Sequence, residues 1–111
     1  MGGSARKILS ILTTIYECRN EIVLIDEISK GFHYSVMKDL WRIISFTSKK
    51  NNVQIFAITH DLDSIKGLRD AALHDAGDKV AFFKLQRTAD AELKLYSYTT
   101  DSIDYMEIEV R

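Results

Sequence analysis

Proline is missing from this chain altogether, and only five of its 111 residues are glycine, so polar clusters and a few glycines must punctuate it. The single cysteine, Cys18, has no partner for an internal disulfide and no CxxC neighbour. It reads as a reduced thiol on the apolar side of a helix rather than as a nucleophile. Neither sign of charge is in excess. Fifteen basic and 16 acidic residues give a net charge of -1, which supplies no electrostatic footprint for nucleic acid or an anionic membrane. No apolar run reaches the roughly 20 residues of a spanning helix, and the amino terminus lacks the charged-then-apolar layout of a signal peptide, so a cytoplasmic location without membrane partners is expected. What is present is ordinary for a globular chain: 46% hydrophobic and 28% charged residues, enough for one core and short for two. A single domain over residues 1–111 is therefore expected.

The stretch Glu21-Ile22-Val23-Leu24-Ile25-Asp26-Glu27 organises the rest. Four consecutive branched aliphatics are too unbroken for a half-exposed strand, and predict a strand buried on both faces of a parallel sheet. Ligands of open α/β sheets gather beyond the carboxyl ends of the strands, which is where Asp26 and Glu27 stand. Alternation sends their side chains to different sides, suiting one to a metal and the other to a water. The plain alternative is that they only open the next loop.

Ahead of this strand, Met1-Gly2-Gly3-Ser4 leads into an apolar stripe of Ile8, Leu12 and Ile15, joined by Leu9 and Ile11. The spacing predicts a helix from about Ala5 to Cys18 with Ser4 as its N-cap. Glycines just before a helix leave backbone N–H groups free to face an anion, although Met-Gly-Gly-Ser is also what an expression vector leaves behind. After the strand, Gly31 suits a left-handed turn. A second helix is expected from His33 to about Ser48, with Val36, Met37, Leu40, Ile43 and Ile44 on its inner side. Val53 to Ile58 repeats the buried-strand pattern and ends in Thr59-His60-Asp61. Strand, helix and strand with short joints make a βαβ crossover, which puts both strand ends at one sheet edge. His60 is thereby expected to converge on Asp26 and Glu27. A histidine after a strand is otherwise a loop-packing residue; acids at the matching end of the neighbouring strand favour chemistry.

Asp61 is expected to cap a third helix from about Leu62 to Ala72, with Leu62, Ile65, Leu68 and Ala72 inward. His74, Asp75, Gly77 and Asp78 mark a loop. Lys79 to Arg87 and Glu92 to Thr99 are strand-like and suit a hairpin at the sheet margin. The tail, Thr100 to Arg111, is expected to close the domain as a short helix or turn.

In order and spacing, Ile22-Val23-Leu24-Ile25-Asp26-Glu27-Ile28, Gly31-Phe32-His33-Tyr34-Ser35 and Val53 to His60 resemble the second half of an ABC-type ATPase head domain. The likeness is to stand-alone ATPases of the overcoming-lysogenisation-defect and RecF-like group, often labelled AAA-family ATP-binding proteins. The ending Met106 to Arg111 is similar to that group's usual terminus. The resemblance implies a partial P-loop NTPase fold of the α/β class, with parallel strands, crossover helices and a carboxyl-terminal hairpin. It also implies ATP and Mg²⁺ as cofactors of a complete protein, with Asp26 as the Walker B acid holding the metal and Glu27 as the general base. His60 would be the switch histidine at the γ-phosphate. Gly31 to His33 would form the D-loop along a homodimer interface. Gly2, Gly3 and Ser4 would be the tail of the signature motif, facing the nucleotide of the opposite protomer.

The sequence departs from that pattern in ways that matter. No GxxxxGK followed by Ser or Thr occurs, so the loop that cradles the β- and γ-phosphates is missing, as are the Q-loop and first lobe. Ser4 stands where glycine is common, His33 where transporters carry aspartate, and Asp61 where serine or asparagine is usual. The resulting expectation is a carboxyl-terminal half of an ATPase, a remnant or truncated frame, inactive without its Walker A lobe and with an exposed sheet edge. A non-enzymatic interaction module is the second expectation, and a metal-dependent nuclease using Asp26, Glu27 and His60 the third. Nucleic acid stays open for the parent protein and is not indicated here.

Overall fold

The computed structural model describes residues 3–74 and 80–98. Helix α1 (Gly3–Glu17) leads to strand β1 (Ile22–Ile25); a short 3-10 turn (Tyr34–Val36) runs into helix α2 (Met37–Lys50). Strand β2 (Gln54–Ala57), helix α3 (Leu62–His74) and the strands β3 (Phe82–Arg87) and β4 (Leu93–Tyr98) complete it. This is a small α/β protein whose described residues form two separate two-stranded sheets.

Strands β1 and β2 pair in parallel, with Ile22 opposite Gln54 and Ile25 opposite Ala57. Each strand follows a left-handed asparagine, Asn20 at φ 67° and Asn52 at φ 54°, a conformation that asparagine tolerates better than most residues. The two are tied by the Asn52 amide donating to Asn20 Oδ1 at 3.1 Å. Beyond the strands the ladder continues: Ile58 N–H donates to the Ile25 carbonyl at 2.9 Å, and Ile28 N–H to the Ile58 carbonyl at 3.2 Å. Both following loops are thus held at the same edge.

The core lies on one side of this sheet. Val23 and Ile25 meet Ile11 and Ile15 from α1 and Met37, Leu40, Trp41 and Ile44 from α2. Positions 37, 40, 41 and 44 follow the i, i+3, i+4, i+7 pattern of a helix face, and each such side chain contributes about 1.5–3 kcal/mol when fully buried. Val36 and Ile43, expected inside, are exposed, and Trp41 takes that place by donating its indole N–H to the Ser64 carbonyl at 3.0 Å. Helix α3 buries a small-residue face, Ser64, Gly67 and Ala71, and packs on α2. Its Ile65 and Leu68 lie against Phe82 of the hairpin.

Several expectations are corrected. Strand β1 is buried on one face only: Ile22 and Leu24 are 58% and 75% exposed, and their neighbours Phe56 and Ile58 are 47% and 56% exposed. Helices α1 and α2 cover the other face, and among the described residues no element covers this one. The hairpin forms its own antiparallel sheet rather than a margin of the parallel one, because its contact is with α3. Ser4 is inside the first turn of α1, which begins at Gly3, so it is not the residue before the helix. The loop at residues 75–79 and the tail at 99–111 lie outside the described residues.

Candidate functional site

The loops after β1 and β2 enclose an open cleft of about 610 Å³. Glu27, Ser29 and Lys30 line it from the first loop, and His60, Asp61, Leu62 and Asp63 from the second. Parallel pairing brings the loops together, and Ser29 Oγ and Thr59 Oγ1 join them at 3.1 Å. Thr59 Oγ1 also accepts the Asp61 N–H at 3.0 Å. Asp61 Oδ1 accepts the Asp63 N–H at 3.0 Å, which satisfies a free donor in the first turn of α3 and fixes Asp61 as its cap.

Glu27 has φ 48°, a left-handed conformation that costs a non-glycine residue about 1–3 kcal/mol. This interrupts strand alternation and places Glu27 on the cleft. Its carboxylate sits 3.8 Å from Lys30 Nζ, an exposed pair of small energetic consequence. Gly31, at φ 89°, then turns the chain without strain. Lys7 reaches across from α1 and donates to the carbonyls of Glu27 at 2.8 Å and Lys30 at 2.6 Å. Its ammonium also lies 5.3 Å from the centre of the Phe32 ring. Burial pushes this ammonium below its usual 10.5; nearby Glu27 opposes that shift and Lys30 adds to it.

Of the residues singled out in the sequence, Glu27 and His60 share the cleft. Asp26 is exposed beside it and does not line it. His33 is exposed on the following loop, where Nδ1 meets Ser35 Oγ at 2.8 Å and caps the 3-10 turn. Gly3 and Ser4 open α1 and are not among the residues lining the cleft, and Gly2 lies outside the described residues. Sequence reasoning missed Lys7, Ser29, Lys30, Thr59 and Asp63. A signal for Lys7 was present: positions 7, 11 and 15 share one helix face, so a lysine heads the stripe of buried Ile11 and Ile15.

Glu27, Asp61 and Asp63 set three carboxylates against Lys30 on the cleft wall, a balance that does not favour a bare phosphate. Among the described residues there is no group of three or more His, Cys, Asp or Glu placed to hold a metal ion. The residues present therefore do not complete a Mg²⁺–ATP site by themselves. A hollow of similar volume at the opposite sheet end is lined by Asn20, Asn52 and Gln54 among others, with Glu21 as its titratable group. It lacks the paired acid and histidine of the first. No helix among the described residues is long and apolar enough to cross a membrane. No protein-family model, curated protein or solved structure matches this chain.

Proposed function

We propose that this chain is the carboxyl-terminal half of an ABC-like ATPase head of P-loop type, inactive alone and completed by a lobe that carries the phosphate-binding loop. The observation that carries this reading is the meeting of Glu27 and His60 in one cleft beyond the carboxyl ends of two parallel strands. In this reading Glu27 is the base that orients a water and His60 the donor at the terminal phosphate, while Asp26, beside the cleft and not on its wall, is the acid for Mg²⁺ once the other lobe is in place. The missing cradle must come with the other lobe. The open apolar face of β1 and β2 supports a half domain, since parallel sheets are covered on both sides. That same face also favours the second reading, a non-enzymatic module that binds another protein.

The test mixes the purified chain with a polypeptide bearing GxxxxGK and the Q-loop from an ABC-like head. Phosphate release is expected from the mixture with ATP and Mg²⁺, absent from either part, and reduced by about two to four orders of magnitude in Glu27→Gln. Steady turnover by the chain alone overturns the reading. So does an inert mixture in which the two parts fail to associate, and tight capture of a protein without a nucleotide site then favours the module.

A further inference from the structure

We infer that Lys7 is a positioning residue for Glu27: its ammonium holds the loop of residues 27–30 in the one backbone conformation that puts Glu27 on the cleft. The inference rests on the proposed function only in naming Glu27 as the base; the geometry stands without it.

Three features of the loop argue for this. Glu27 occupies a left-handed backbone conformation, at φ 48°, that L-residues avoid unless their surroundings impose it. Its carbonyl and that of Lys30 turn toward one point, and Lys7 Nζ sits there, 2.8 Å from the first and 2.6 Å from the second. A single cation answering two carbonyls makes charge-assisted bonds, stronger than those between neutral groups. The turn's own bonds, Lys30 N–H to the Glu27 carbonyl at 3.0 Å and Phe32 N–H to the Ser29 carbonyl at 3.1 Å, close the loop around that point.

Lys7 is also well placed to resist release. It belongs to α1, whose Ile11 and Ile15, one and two turns further on, are anchored in the core. The Phe32 ring, partly buried against the same core, lies beside the ammonium and shields it. The Glu27–Lys30 pair spans one turn of the loop itself, so it cannot fix the loop against the rest of the molecule. Lys7 ties this loop to another element from 20 residues away.

The test is amide hydrogen exchange on the labelled chain, without nucleotide, so that failure of the ATPase reading leaves it untouched. Lys7→Met is expected to speed exchange at Lys30 and Phe32 by about tenfold while β1 and α2 keep their protection. Lys7→Arg retains most of it, because a guanidinium also presents donors to two carbonyls. The deciding variant is Glu27→Gly combined with Lys7→Met. Glycine takes a positive φ freely, so the loop regains protection if Lys7 acts by holding that conformation. Unchanged exchange in Lys7→Met overturns the inference. So does a uniform loss across β1 and α2, or an unfolded Lys7→Met chain, that Glu27→Gly does not reverse.

Discussion

Individual residues carry this fold's local tensions in their backbone angles. Asn20, Glu27, Asn52 and Ala91 all have positive φ without being glycine. The asparagines bear it readily, and Glu27 is held by Lys7. Ala91 has no such help: it closes the hairpin loop, where Thr88 N–H donates to the Glu92 carbonyl at 2.8 Å and Ala91 N–H to the Thr88 carbonyl at 3.0 Å. A three-residue hairpin loop of this kind favours glycine at its left-handed position. Ala91→Gly is expected to stabilise the chain by about 0.5–1 kcal/mol, the relief of the Cβ clash exceeding the added freedom of the unfolded chain. Urea unfolding measures it, and a lower midpoint contradicts it. Glu27 shows the limit of sequence reading at this scale: its acidity and place after a strand were visible, whereas its left-handed backbone and the lysine 20 positions earlier that meets its carbonyl were not.

Between elements, the tightest constraint is the contact of α2 with α3. A Cβ built on Gly67 would stand 2.9 Å from Met37 Cβ and 3.2 Å from the backbone at residues 37 and 38. Neither neighbour is the free end of a flexible side chain, so the helices must separate to admit it. Gly67→Ala is expected to destabilise by about 1–3 kcal/mol despite alanine's better helix propensity. Equal or greater stability in denaturant would show that the helices can part cheaply. Sequence periodicity located α3 and its cap Asp61 and placed Leu62, Ile65, Leu68 and Ala72 inward, of which Ala72 is buried and Ile65 and Leu68 are half-buried. The closest approach uses Ser64, Gly67 and Ala71 instead, since small residues let two helices come near each other. Periodicity identifies a stripe; which stripe meets which neighbour depends on where the neighbour is.

For the molecule as a whole, the face of β1 and β2 that no element among the described residues covers is the feature with the widest consequence. Leu24, at its centre, makes little contribution to the chain's own core at 75% exposure. Leu24→Lys is therefore expected to change unfolding free energy by no more than about 0.5 kcal/mol, while abolishing association with the lobe proposed above to complete the site. Loss of stability in the isolated chain would mean that the face is already covered. By itself, the sequence determined the order of elements along 3–74 and 80–98 and the placing of Glu27 and His60 just beyond two strands, but not all the element ends, since α2 begins at Met37 rather than His33 and β3 at Phe82 rather than Lys79. Those are local properties, written in apolar spacing, turn residues and caps. The tertiary structure alone decided that no described element covers one face of the sheet, that the hairpin stands apart on α3, and that Lys7 meets the loop of Glu27. Each of these depends on which distant groups meet, and a linear pattern of apolar and polar residues records a side chain's character without recording its neighbours.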